Sequence, residues 1–352
     1  MRLEFINRIM VGDVLAKSIL TSDGKILLRS GVSLTETYIE KLKELDVYYV
    51  YVEDDRLDDI YIEDEKLNEL KRSTMKNMAT IVKNLTNNSK VNLKDSLSRV
   101  EELMEYIIEM GDVNKSLHDI KTHDNYTYMH SIDTGIMAAF IGMNMKLSKE
   151  ELRNLGVGAI LHDIGKVKVK SDIINKNGAL TEEELTEIKR HPIYGAEILK
   201  KNIYIPDAVI NAVLQHHERI DGLGYPYGLE GNQISRLAKI VCICDVYDAV
   251  SSDRSYRKKF SPNEAYELVL SGNGSMFDES IVKIFKDTFA VYPLGCCLKL
   301  SNGVEGYVIN QNKGFPDRPI LRVLYDSETR KPIPFYEINL LEHTNITVVD
   351  TV

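Results

Sequence analysis

The sequence predicts a multidomain, mainly α protein, with a central helical bundle between a small N-terminal α/β domain and a small C-terminal β-rich domain. Three observations predict it. Apolar residues recur with helical period from about 116 to 288, while residues 1–60 mix a capped helix with a strand-like run. After Tyr292, short β-rich runs alternate with Asn-Gly, Lys-Gly and Pro turns. At 352 residues the chain is too long for one ordinary core and suits two or three domains.

Taken in order, residues 1–60 hold the turn "SDGK", a helix opening at Thr35 in "LTETYIEKLKEL", and a strand over Val47 to Val52. The stretch "EDDRLDDIYIE" at 53–63 is an acidic connector. Residues 61–115 are polar and rich in Lys and Asn, with sparse apolar positions three and four apart, as in "VEELMEYIIEM". They form a helical connector that links or dimerises. In the central domain, 116–288, Thr181 and Glu184 make a capping box, Pro206 opens "PDAVINAVLQHHE", and Ser235 opens "SRLAKIVCICDVYDAV". Residues 289–352 form the β-rich domain.

Charge excludes one class of partner. With Lys+Arg 44 against Asp+Glu 53 the formal net charge is −9, so no global basic field exists to hold nucleic acid. A small anionic ligand needs a local basic pocket. No apolar run approaches the roughly 20 residues of a membrane span, and "MRLEFINRIM" lacks the apolar stretch of a signal peptide, so a cytoplasmic location is expected. Cys242, Cys244, Cys296 and Cys297 lack Cys-x-x-Cys spacing and read as buried or partly buried thiols without chemistry.

The central domain concentrates metal-ligand chemistry. Five of the chain's eight histidines stand in its legible motifs: His130 in "DNYTYMHS", His162 in "LHDIGK", His191 in "KRHP", and His216 and His217 in "QHHE". Asp163 and Asp245 accompany them. A single helical histidine is more often a core or surface residue than a ligand. Seven such groups, each gap about one helix and its loop, can instead meet at one point in a bundle core. Neutral imidazoles with carboxylates suit divalent iron, manganese, zinc or related metals. Seven ligands exceed one tetrahedral shell, and two metals sharing Asp163 is the natural count. Lys166, four residues beyond His162, places a cation on the same face.

Two other motif readings fail. "HERID" at 217–221 starts like a zincin helix but has Asp221 where the second histidine belongs. Gly222, Gly224 and Gly228 follow a helix, whereas a dinucleotide loop follows a strand.

The motifs "HDIGK", "HP", "HHERIDGLGYP" and "DVYDAVSSDRSYR", in that order over about 116 to 288, resemble the HD-GYP subfamily of the HD phosphohydrolases, which are cyclic di-GMP phosphodiesterases. The resemblance implies an HD-type helical bundle. It implies that His130, His162, Asp163 and Asp245 hold one divalent metal, iron or manganese, and that His191, His216 and His217 hold the second, with Asp163 bridging. By the same resemblance Asp163 and Lys166 are catalytic, with Lys166 on the scissile phosphate. Arg254 and Arg257 would hold the other phosphate or a base, and the loop Asp221, Gly222, Gly224, Tyr225, Pro226 would shape the substrate pocket and dock cyclase domains of the GGDEF type. Residues 1–52 resemble the accessory domain that often precedes the subfamily.

Some members have Glu four residues before the first metal histidine, where this chain has Tyr126. This favours a dinuclear over a trinuclear centre, and with it the linear product pGpG over full hydrolysis to GMP. In this reading two cations acidify a water for in-line attack, and Lys166 with the arginines offsets charge in the transition state. Asp248, one turn beyond Asp245, is a candidate for orienting a ligand imidazole, though an exposed helix carboxylate is the plain alternative. Tyr225 suits stacking on guanine, or packing within its own turn. Two rival functions are an HD phosphohydrolase of another nucleotide and a cyclic di-GMP sensor that does not turn over.

Overall fold

The computed structural model describes residues 1–20, 26–45, 47, 49–60, 65–86, 93–110, 128–176, 178–201, 205–251 and 262–352. The "SDGK" turn, Tyr126, Arg254 and Arg257 lie outside the described residues. The described chain is mostly helical with a C-terminal β-sheet, and it divides into two compact units.

The first unit joins the described residues of Met1–Glu63 to those of Phe289–Val352. It begins with β1 (Arg2–Phe5), β2 (Ile19–Leu20), β3 (Ile26–Leu28), α1 (Glu36–Glu44) and β4 (Tyr49–Val52). β1 pairs antiparallel with β4, and β2 with β3. The Thr35 hydroxyl accepts from the Tyr38 N–H at 3.3 Å, meeting a donor that the first helical turn leaves open. Ile39 and Leu42 of α1 then pack in a core with Leu15, Leu34, Val50 and Val52.

The C-terminal strands are β5 (Cys297–Leu300), β6 (Glu305–Asn312), β7 (Phe315–Tyr325), β8 (Pro332–Asn339) and β9 (Val348–Thr351), in one antiparallel sheet ordered β8-β7-β6-β5-β9. Gly303 and Gly314 adopt positive φ in the tight turns on either side of β6, as the Asn-Gly and Lys-Gly pairs predict.

The two ends of the chain, separate domains on a sequence reading, share this unit because each supplies partners that the other lacks. The Leu3 N–H donates to Gly295 O at 2.8 Å, and the Tyr307 hydroxyl donates to Glu4 at 2.6 Å. The Arg322 guanidinium spans both Asp59 oxygens at 2.7 Å each. Leu57 and Ile60 share a core with Cys297, Tyr307 and Leu324. Nothing in local sequence pattern marks such pairings.

The second unit holds the described residues of Asp64–Val113 and Thr127–Thr288. Its helices are α2 (Glu65–Thr86), α3 (Leu93–Met110), α4 (Met129–Asn144), α5 (Lys149–Ile160), α6 (Ser171–Ile174), α7 (Glu182–Ile188), α8 (His191–Lys200), α9 (Asp207–Gln215), α10 (Arg236–Ser251), α11 (Pro262–Ser271) and α12 (Glu279–Thr288), with a 3-10 helix at Ile164–Lys168. The capping boxes Ser148/Glu151 and Thr181/Glu184 start α5 and α7. α4 and α10 are buried on nearly every side, because apolar residues are spread around each helix and their buried polar groups are paired, and they form the centre of the bundle. Fully burying each of their Ile, Val or Met side chains contributes about 1.5–3 kcal/mol.

The connector helices α2 and α3 pack on each other and on this bundle, with Met104 of α3 seated against Gly156 of α5. Their apolar residues Ile81, Val100, Leu103 and Ile107 are buried within the unit. A buried ion pair, Lys71 to Asp133 at 2.9 Å, ties α2 to α4 one turn beyond His130. Such a pair is costly to break, since removing one partner leaves a buried charge. Among the described residues no helix is long and apolar enough to cross a membrane.

Candidate metal centre

Five short pieces of the second unit bring the seven predicted ligands together. His130 comes from the first turn of α4, His162 and Asp163 from the end of α5, His191 from the start of α8, His216 and His217 from the end of α9, and Asp245 from the middle of α10. They fall into two groups. Asp163, His191, His216 and His217 can each place a ligand atom within 4.8 Å of the others, and His130, His162 and Asp245 do the same. Both aspartates reach toward both groups. Asp163 sets one oxygen 3.3 Å from His191 Nε2 and the other 3.4 Å from His162 Nε2. Asp245 sets one oxygen 3.0 Å from His130 Nε2 and the other 3.8 Å from His217 Nδ1.

Backbone geometry fixes which nitrogen faces the centre. His162, His191 and His216 each donate Nδ1–H to the carbonyl three residues earlier, Ala159 at 2.6 Å, Ile188 at 2.8 Å and Val213 at 2.7 Å. A carbonyl can only accept, so in each neutral ring Nε2 carries the free lone pair and points inward. His191 Nε2 and His216 Nε2 then face each other at 3.2 Å. A hydrogen bond between them would need a second proton on one ring, which burial opposes, holding His191 down to about 4 and His216 well below the usual imidazole range. Two lone pairs at this distance call for a cation. Asp163 Oδ1 is also buried and lacks a hydrogen-bond partner, a further sign that this space suits an electropositive ligand, and the equally unpartnered His162 Nε2 can join it once its proton is displaced. Nitrogen and carboxylate donors fit a divalent transition metal.

The two groups differ electrostatically. Burial opposes charge on His130, but hydrogen bonds to Asp245 and Asp248 outweigh it and push its pKa up to about 9. His162, under the same opposing burial, is pushed up to about 10 by Asp163 and Asp245. His217 is held down to about 4 by burial. Asp163 stays well below the usual carboxylate range despite burial, because His162 and Lys166 favour its charged form.

Around the centre, Lys166 bonds Asp163 Oδ2 at 2.6 Å from the 3-10 helix that follows it. Asp248, an even choice between exposed and orienting on sequence alone, is buried and bonded to His130 Nδ1 at 2.6 Å. That is the orienting position. Tyr225 is stacked on His217, with ring centroids 4.6 Å apart and 27° between planes, so in this structure its aromatic partner is an imidazole. The Asp221 carboxylate is held by Arg219 and by the Leu223 N–H. Gly222 has positive φ, and a Cβ at Gly224 would lie 2.4 Å from Arg219 N, so this turn requires both glycines. The Tyr225–Pro226 peptide is cis.

Sequence reasoning gave no role to Glu218, which is 2% exposed and accepts from the N–H groups of Tyr227 at 2.8 Å and Leu229 at 2.9 Å. It clamps the loop that carries Tyr225. The signal was present: an acidic residue directly after two ligands, beside a turn that needs backbone acceptors.

The family model described as HD domain matches residues 80–281, and one described as KOW domain associated with HD domain matches 297–352. The chain is 36% identical over 241 residues to a cyclic di-GMP phosphodiesterase of Pseudomonas aeruginosa, covering 68% of this chain and 58% of that protein. It is 38% identical over 148 residues to a cyclic di-GMP phosphodiesterase response regulator of Xanthomonas campestris pv. campestris, covering 42% of this chain and 39% of that protein. The chain spans about half the length of the curated relatives it matches. Among solved structures, an HDG"Y"P protein from Bdellovibrio bacteriovorus shares the fold with a TM-score of 0.51 and 17% identity, over 80% of this chain and 97% of that one.

Proposed function

The chain belongs to the HD domain family and carries the motifs His162-Asp163 and Gly224-Tyr225-Pro226; from this premise we propose that it is a metal-dependent cyclic di-GMP phosphodiesterase with a dinuclear centre. The carrying observation is the pair of facing imidazole nitrogens, His191 and His216, with Asp163 reaching from them to His162. In this reading His130, His162 and Asp245 hold one ion, His191, His216 and His217 the other, and Asp163 lies between. Iron and manganese both suit the donor set.

When bound, two divalent ions supply Lewis acidity for phosphate oxygens and acidify a water for attack. The protein's own groups do the rest. Lys166, held at Asp163, meets negative charge that builds on the scissile phosphate, where a charge-assisted bond is strongest. Asp248 keeps Nε2 of His130 turned to the centre. Glu218 and the stacked Tyr225 hold His217 and the pocket loop in one arrangement. Arg254 and Arg257 complete the proposed substrate contacts, with pGpG as the product. Leu223 and Tyr227 stand exposed at the loop tip and suit docking of a GGDEF-type cyclase domain. Residues 1–60 are read as an accessory α/β domain.

The test is metal content together with cyclic di-GMP turnover on protein purified without oxygen, comparing wild type with Asp163→Ala and separating pGpG from GMP. About two metals per chain with pGpG formed, and both lost in the variant, is the expected result. Metal bound normally with cyclic di-GMP left intact overturns the substrate assignment and favours the sensor or another nucleotide.

A further inference from the structure

Between the last residue of the capped helix α7, Ile188, and the proposed ligand His191 the chain reads Lys189-Arg190, and both side chains are exposed beside the proposed centre. The basic side chains of this stretch are mostly neutralised by the protein. Lys166 faces Asp163 at 2.6 Å, Lys168 faces Glu197 at 3.0 Å, Lys176 faces Glu184 at 2.6 Å and Arg190 faces Glu187 at 3.5 Å. Lys189 differs. Among the described residues no carboxylate lies within ion-pair distance of it, and its ammonium stands 5.5 Å from the centroid of the Tyr225 ring. Tyr225 in turn is stacked on His217 and lies 6.4 Å, centroid to centroid, from His191. A free cation is thus one aromatic ring away from two of the proposed ligands.

From this we infer that Lys189 is a substrate-contact residue that binds the second, non-scissile phosphate of a cyclic dinucleotide, with the Tyr225 ring as the platform that aims it. The inference rests on the phosphodiesterase reading above and adds a specificity determinant to it. A cyclic dinucleotide carries two phosphodiester charges. One goes to the metal ions and Lys166, and the other goes to Lys189, with Arg254 and Arg257 then taking the base rather than this phosphate. Lys189 is suited to this for two reasons: no internal ion pair must break before it turns to the ligand, and an ammonium on a flexible stem moves readily from a ring face to a phosphate oxygen. Its backbone is fixed at the same time, because the Lys189 N–H closes α7 on Leu185 O at 3.0 Å. The side chain is free and the anchor is rigid.

The test uses the full, metal-loaded chain and two substrates, cyclic di-GMP and bis(4-nitrophenyl) phosphate, which has a single phosphodiester. For Lys189→Gln the expected result is a KM for cyclic di-GMP raised about ten-fold with kcat within about two-fold, the size of one lost charge-assisted contact that is equal in ground and transition states. Turnover of bis(4-nitrophenyl) phosphate and metal content should match wild type. Lys189→Arg should recover most of the loss, since it keeps the charge. A wild-type KM for cyclic di-GMP in Lys189→Gln overturns this inference alone. Equal losses on both substrates with reduced metal also overturn it, pointing to a structural role through Tyr225 and His217. Wild-type protein that cleaves bis(4-nitrophenyl) phosphate but leaves cyclic di-GMP intact overturns the cyclic di-GMP substrate reading, and this inference with it.

Discussion

His130 is held between two carboxylates of one helix: Nδ1 donates to Asp248 at 2.6 Å and Nε2 faces Asp245 at 3.0 Å. The spacing of three residues on α10 puts both acids on one face, so a single imidazole is gripped from both sides. In the proposed reading Asp245 shares a metal with the ring, and Asp248 orients it.

Replacing Asp248 with Asn removes the negative acceptor and leaves the geometry nearly unchanged. Metal affinity at the His130, His162, Asp245 group should fall about 10–100-fold, the range seen when the partner of a ligating imidazole is lost. Binding at the His191, His216, His217 group should stay near wild type. Titration of chelated protein with manganese would read both, and an unaltered isotherm would rule out the orienting role.

The two groups should also respond oppositely to pH. In chelated protein His191 and His217, held down to about 4, are already neutral at pH 6–7, so their group binds metal with little proton competition until pH falls toward 4. His130 and His162, raised to about 9 and 10, keep protons at neutral pH that a metal must displace. Affinity there should climb as pH rises toward those values. At pH 6 one site per chain should therefore fill first, with proton release on filling the second, visible by calorimetry in buffers of different ionisation enthalpy. Simultaneous filling without proton release would contradict this.

Gly165 lies where the 3-10 helix crosses the start of α8. An added Cβ would come within 1.9 Å of His191 O and 2.5 Å of Gly195 N, both backbone atoms that cannot swing aside. Gly165→Ala should cost about 1–3 kcal/mol of stability by overpacking and should loosen Asp163 from His191, lowering metal stoichiometry as well as melting temperature. A variant as stable as wild type with full metal content would show that the crossing relaxes.

Glu218→Gln leaves one amide oxygen where two carboxylate oxygens hold Tyr227 and Leu229. Hydrogen bonds to charged groups contribute about 1.5–3 kcal/mol, so a loss of about that size is expected in urea unfolding. The freed loop should raise KM while metal content stays constant. Unchanged stability together with unchanged KM would show that the clamp is dispensable.

The sequence alone determined the helical character of the central region, the capped helix starts at Thr35 in the first unit and Thr181 in the second, and the tight turns at Gly303 and Gly314, because these depend on local backbone chemistry and hydrophobic period. It also marked His130, His162, Asp163, His191, His216, His217 and Asp245 as one set, since they recur along the chain at intervals of about one helix and its loop. The tertiary structure decided what local pattern cannot carry. It buried Asp248 and gave it to His130, turned Glu218 into a loop clamp, and joined the two chain ends through Arg322 to Asp59 and Tyr307 to Glu4. Asp248, Arg322 and Tyr307 each find a partner more than a hundred residues away, and Glu218 finds its partners across a folded turn; only packing brings such groups within hydrogen-bond reach.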